Sequence, residues 1–113
     1  MHFPEFQADG QVIDINAELK ALTAHWQPKI INNYGFQFRI VKFVGEFEWH
    51  THEGSDKVMF VLEGEMTLEF RDGRDPVTVR AGEMYVVPQG CEQKPSSTAE
   101  CSIILIEPAA PVA

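Results

Sequence analysis

Residues 45–64 read GEFEWHTHEGSDKVMFVLEG, and how this stretch divides decides the fold. His50 and His52 stand two apart. On a β-strand, where side chains alternate faces, both imidazoles then point the same way and can share one ion or ligand. Helical spacing would set such a pair three or four apart. After a polar loop comes Lys57-Val58-Met59-Phe60-Val61-Leu62, a β-prone apolar run, and Glu63-Gly64-Glu65 suits a tight turn. The stretch therefore reads strand, loop, strand, turn. Residues 82–90, GEMYVVPQG, repeat the pattern of a short apolar strand closed by proline and glycine.

Upstream, Phe36, Phe38 and Ile40 alternate with Gln37 and Arg39, with a slip near Val41 before Phe43 resumes the strand. Asn32-Asn33-Tyr34-Gly35 reads as the turn into it, and Trp26 with Ile30 and Ile31 as an apolar staple on the body. Residues 14–22 offer an aspartate or asparagine cap, helix formers, and apolar side chains at Ile15, Leu19 and Leu22. This predicts one short helix around residues 16–25, ending before Pro28. Residues 1–15 read as a segment extended along the body.

Downstream, Met66, Leu68 and Phe70 alternate with Thr67 and Glu69. Asp72-Gly73 is the strongest hairpin signal, because this pair tolerates the positive φ of a type I′ turn. Pro76-Val77-Thr78-Val79-Arg80 and Ser102-Ile103-Ile104-Leu105-Ile106 read as further strands, and residues 108–113 as a loose tail. Short strands punctuated this regularly, with no helical run between them, predict an all-β, two-sheet jelly roll.

The two glycine-bounded stretches resemble the paired motifs of the cupin superfamily, G-x5-H-x-H-x3,4-E-x6-G and G-x5-P-x-G-x2-H-x3-N. The first appears as Gly45, His50-Thr51-His52, Lys57 in the glutamate position, and Gly64. The second appears as Gly82, Pro88-Gln89-Gly90, and Gln93 in the place of the third histidine. The chain is thus similar to small single-domain cupins of the mannose-6-phosphate isomerase-like kind. The resemblance implies a double-stranded β-helix with a short N-terminal helix. It divides the chain into an N-terminal extension over residues 1–35, a barrel over 36–107 and a tail over 108–113. It also implies that His50, His52 and Gln93 face the barrel cavity, where members of the superfamily hold a divalent transition metal such as nickel, iron, zinc or manganese.

Two of the four implied ligands are substituted, and the chemistry changes with them. A divalent ion wants three or four donors including an anionic oxygen. A protonated lysine has no lone pair to give and repels a cation, and the neutral amide of Gln93 binds first-row metals less well than imidazole does. Three alternatives stay open. A one-residue bulge at Asp56 would present a carboxylate, although it would turn Val58, Phe60 and Leu62 to the other face. Cys91, which shares parity with Gln93, would offer a thiolate. Or no metal is needed: Lys57 supplies a fixed positive charge beside two imidazoles and an amide, a receptor for a carboxylate or phosphate. Against this stands the reading of Lys57 as a solvent-facing partner of Asp56 or Glu53.

Glu48 shares parity with His50 and is a further candidate for the cavity, whereas Phe47 and Trp49 fall on the opposite face. With Phe60 they predict an apolar outer surface covered by a second subunit or by the helix. Met59 and Met84 read as cavity lining or core, and Tyr85 as a rim residue.

Composition bounds the function. The chain has 113 residues, 44% of them hydrophobic, which fits one small folded domain. A formal charge of −8 argues against nucleic acid or an anionic membrane as partner. No apolar run approaches a membrane span and no signal-peptide pattern opens the chain, so the cytoplasm is the expected location. Cys91 and Cys101 lack knuckle spacing and read as free thiols. There is no GxSxG, P-loop or dinucleotide fingerprint. The expectation is a small cupin with a degenerate metal site that binds a polar or anionic ligand through His50, His52, Lys57, Gln93 and Glu48, as a homodimer, holding no metal or a weakly bound one. The alternatives are a metal-dependent dioxygenase or sugar-phosphate isomerase using His50, His52, Gln93 and Asp56, and a dimeric sensing or structural module.

Overall fold

The structure, a computed structural model, describes residues 10–109. The segment expected over residues 1–15 and the tail expected over 108–113 therefore lie largely outside the described residues. One helix, α1 (Ile15–Lys20), precedes seven strands: β1 (Lys29–Tyr34), β2 (Phe36–Glu46), β3 (Lys57–Glu63), β4 (Glu65–Phe70), β5 (Val77–Arg80), β6 (Met84–Val87) and β7 (Gln93–Pro108). All pairings are antiparallel. The path runs β1-β2-β7-β3-β6, while β4 pairs with both β5 and the first residues of β7. β7 thus belongs to both halves of a closed double-stranded β-helix, with its later residues between β2 and β3.

Both faces of β2 are used, which explains the apparent slip at Val41. Val41 and Phe43 point into the barrel with Met59, Val61, Ile103 and Leu105. Ile40 lies on the outer face with Ile104, and there Leu19 of α1 packs on it together with Phe38 and Phe60. The ladder breaks further on, between Phe43 and Gly45, where β7 bends through residues 98–100. Phe60, half-buried, packs against this same outer cluster.

Four elements differ from the sequence reading. α1 is shorter than expected, ending at Lys20; Asp14 caps its start by accepting from the Ala17 N–H at 3.1 Å. Asn32 and Asn33 lie within β1, because the ladder to β2 satisfies their backbone, and the turn narrows to Gly35 at φ 78°. Asp72-Gly73 sits in a six-residue loop between β4 and β5, with no type I′ hairpin. There the Asp72 carboxylate accepts from the Arg74 backbone at 3.2 Å and from its Nε at 3.1 Å, an Asx turn that competes with the tight hairpin. The last strand begins at Gln93, nine residues before the expected Ser102. Gly64 closes the β3–β4 turn at φ 80°, where an added Cβ would lie 2.8 Å from the Glu100 carbonyl oxygen, so glycine is required.

Candidate functional site

His50 and His52 do not sit in a strand. The segment from Phe47 to Glu53 is pinned to the barrel rim by single contacts: Phe47 donates to the Pro95 carbonyl, His50 and Gln93 exchange two backbone hydrogen bonds of 3.0 Å, and Gly90 donates to the His52 carbonyl. The His50–Gln93 bridge sets the two side chains side by side. His50 Nδ1 lies 3.1 Å from the Glu48 carbonyl, which only accepts, so Nδ1 carries the proton. Nε2 is then the acceptor for the Gln93 amide N–H at 2.9 Å. Gln93 is fully buried, and its Oε1 has no hydrogen-bond partner among the described residues.

Lys57 opens β3 on the inward face, 3% exposed, with no carboxylate paired to it among the described residues. Its Nζ touches His52 Nε2, so the ammonium donates and the imidazole is neutral. His52 Nδ1 faces Glu107 at 3.9 Å, and Glu107 is held by Arg39 at 2.8 Å. Burial, then the neighbouring Lys57 charge, depresses the His52 pKa to about 4, against a smaller opposing pull from Glu107. Burial, then the Arg39 charge, lowers that of Lys57 to about 8. Glu107 is paired directly with Arg39, and at Lys57 its pull is weaker than the push from Arg39, so Lys57 keeps no carboxylate of its own among the described residues.

Of these groups, Arg39, His50, His52 and Lys57 line a cavity of about 190 Å³. The remaining wall is apolar: Val41, Met59, Ile103 and Leu105, and the aromatic rings of Trp26, Phe43 and Phe47. Trp26 stacks on Phe43 at 4.4 Å and on Phe47 at 4.8 Å between ring centres, and Phe47 meets His50 edge-on at 5.2 Å.

Of the residues read from sequence, His50, His52 and Lys57 line the cavity and Gln93 is bonded to His50. Glu48 does not line it: its side chain is exposed and its backbone carbonyl orients His50. Asp56 is exposed and accepts from the Gln89 N–H at 2.8 Å, so no bulge brings it inward. Lys57 is not a solvent-facing partner of Asp56 or Glu53. Cys91 is buried in the core beside the barrel residues and does not line the cavity. Phe47 faces the cavity, contrary to its parity, because residues 47–49 are not in a strand. Trp49 lies under the Arg71 guanidinium at 4.4 Å. Met59 lines the cavity, Met84 is 60% exposed on β6, and Tyr85 receives a 3.3 Å hydrogen bond from Arg74 outside the cavity. Sequence reasoning missed Arg39, Glu107 and Trp26. Arg39 alternates with Phe38 and Ile40, which marks its face, but nothing local ties it to Glu107.

The donor set does not fit a divalent ion. No group of three or more His, Cys, Asp or Glu residues is arranged to hold one among the described residues. The Nε2 lone pairs of both imidazoles already accept from Gln93 and Lys57. An ion beside Lys57 would meet like charge worth about 4 kcal/mol per unit charge at about 4 Å and an effective dielectric near 20. No helix of the described residues is long and apolar enough to cross a membrane.

The family model described as Cupin domain matches residues 39–107. A crystal structure of a protein from Neisseria meningitidis is 46% identical, with a TM-score of 0.82 over 88% of this chain and 100% of that one. A cupin-2 domain containing protein from Shewanella frigidimarina is 44% identical, with a TM-score of 0.80 over 86% and 94%. Among curated proteins, 37% identity over 52% of this chain links it to a pyrimidine/purine nucleoside phosphorylase of a Geobacter species, of which the match spans 55%.

Proposed function

The chain belongs to the Cupin domain family, and from that premise we propose that its barrel is a receptor for a small anionic ligand, a carboxylate or phosphate, with Lys57 in the position that the family motif gives to a metal-ligating glutamate. The observation that carries this reading is the buried ammonium of Lys57 in the cavity wall, with no carboxylate paired to it among the described residues. A buried charge without a counter-charge is costly, and an anion docked against it offsets that cost. His52 holds the ammonium in place, and the Arg39–Glu107 pair keeps a second cation nearby without adding net charge. The Gln93 and His50 pair supplies neutral hydrogen-bonding groups beside it.

Phosphate belongs to this ligand class, and a nucleoside phosphorylase by name consumes it; the partial match to such proteins makes phosphate one of the anions to test. The same reading takes a second copy of the chain as protein partner, no nucleic acid, no membrane, and a cytoplasmic location. The test is titration of the native chain with acetate and inorganic phosphate, followed by calorimetry and by melting temperature. Binding by either that is lost in Lys57→Met supports the receptor. A native chain indifferent to both up to tens of millimolar, roughly the limit of weak small-ligand binding, overturns it.

A further inference from the structure

The cavity lining combines a few polar side chains with an aromatic wall, and that combination narrows the ligand class proposed above, on which this inference rests. Lys57, His52, His50 and Arg39 supply its polar side chains, and Trp26, Phe43 and Phe47 supply its aromatic wall. Trp26 is the only non-glycine residue with positive φ among the described residues, at 61°. For a bulky side chain this backbone costs free energy, and such strain persists only where the surroundings enforce it.

Three contacts enforce it here. The Trp26 N–H donates to the Lys42 carbonyl at 2.9 Å, its indole Nε1–H donates to the Val44 carbonyl at 3.2 Å, and the adjacent His25 pairs with Glu100 at 2.8 Å. Filling a hydrophobic core needs none of this, since a leucine or methionine on relaxed backbone would cover Phe43 as well. The strained backbone fixes the orientation of a flat aromatic surface. Phe47 extends that surface while 37% exposed, so it is not buried as core packing alone would have it.

We infer that the ligand is a planar aromatic or heteroaromatic acid, its carboxylate on the Lys57 ammonium and its ring against the wall of Trp26, Phe43 and Phe47. The size agrees: a cavity of about 190 Å³ holds one ring with a short acidic arm and leaves little room for more. The polar groups agree as well. Besides Lys57 and His52, the polar lining groups are already engaged: Arg39 with Glu107, the His50 ring nitrogens with Glu48 and Gln93, and the indole N–H with Val44. Such a lining rewards a ring and leaves a hydroxyl-rich sugar few partners, which separates this class from sugar phosphates.

Calorimetric titration of the full chain with benzoate, cyclohexanecarboxylate, acetate, inorganic phosphate and benzyl alcohol tests it. The expected result is that benzoate binds at least tenfold more tightly than acetate or phosphate and several-fold more tightly than the non-planar cyclohexanecarboxylate, and quenches tryptophan fluorescence. The benzoate-to-acetate affinity ratio should fall about tenfold in Phe47→Leu, which removes an aromatic from a half-exposed position, and likewise in Trp26→Leu if that variant folds. Equal affinity for benzoate, cyclohexanecarboxylate and acetate overturns the aromatic-acid inference while leaving the anion receptor intact. Benzyl alcohol binding as tightly as benzoate overturns both, and so does absence of binding by every probe.

Discussion

Lys57 Nζ abuts His52 Nε2 inside the barrel, an ammonium donating to a neutral imidazole, and the Lys57 charge adds to burial in lowering the readiness of His52 to take a proton. His52 titrates at about 4, below its ordinary 6.5, and Lys57 at about 8, below its ordinary 10.5. In both pH windows the unfolded chain binds a proton that the native chain does not, so stability rises with pH there. From pH 6.5 down to about 4 the protein should lose stability as His52 is forced toward its charged form. From about 8 up to 10.5 it should gain the Lys57 contribution. Denaturant melts across pH check both windows. In Lys57→Met the alkaline gain should vanish, and the His52 resonance in a proton NMR titration should move upward but stay below 6.5, since burial, its larger cause, remains.

Anion affinity should have the opposite slope at the alkaline end. The ligand prefers the ammonium, so the logarithm of the affinity for acetate or benzoate should be flat below about pH 8 and fall tenfold per unit above it. Titrations at pH 6.5, 7.5, 8.5 and 9.5 read this directly. A flat profile across the series would place the anion on Arg39, and Lys57 would lose its role.

Gly64→Ala should destabilise the chain by about 2 kcal/mol or more. The strain of a left-handed alanine is roughly 1–2 kcal/mol, and the new Cβ would stand 2.8 Å from backbone, the Glu100 carbonyl oxygen, which cannot swing aside as a side chain would. For a chain of this size each kcal/mol is about 4 °C of melting temperature. Gly73→Ala is the control: its φ is 93° but nothing lies within 4 Å of the added carbon, so it should cost less.

What the sequence disclosed, and what it withheld, follows from distance along the chain. His50, His52, Lys57 and Gly64 lie within fifteen consecutive residues that match one motif, so their spacing carried their placement, and the second motif carried Gln93. Arg39 and Glu107 are 68 residues apart and meet only because β2 and β7 are paired. Parity arguments held inside β3 and failed at Phe47 and Glu48, where the chain leaves the ladder and alternation no longer fixes a side chain's direction. The Asp72-Gly73 turn was misread because a local carboxylate hydrogen bond to Arg74 stabilises a wider loop equally well. Trp26 at positive φ has no sequence signal, since any tryptophan before Gln27-Pro28 would read the same.

A homodimer is the expected state in solution, with Phe36 in its interface. Phe36 is 56% exposed on β2, and Met84 and Val86 leave further apolar surface on β6. Phe47 and Trp49 are committed elsewhere, to Trp26 and to Arg71 and Lys94. Light scattering at micromolar concentration should return twice the 12.8 kDa chain mass, and Phe36→Ser should shift the chain toward monomer.

Restoring the ligands of the family motif should restore metal uptake. Lys57→Glu removes the like charge and supplies an anionic oxygen next to His52; Gln93→His adds an imidazole at the position already within 2.9 Å of His50 Nε2. The double variant then offers three imidazoles and a carboxylate, a set that suits nickel, iron or zinc. Elemental analysis after dialysis should find near one metal per chain in the double variant and far less in the native protein. Lys57→Glu alone should fall between, because two imidazoles and one carboxylate meet the minimum donor count while the Gln93 amide N–H still points at His50. If the native chain instead carries near one metal, lost on His50→Ala, Lys57 must leave the cavity when the ion enters, and the anion receptor gives way to a metalloprotein.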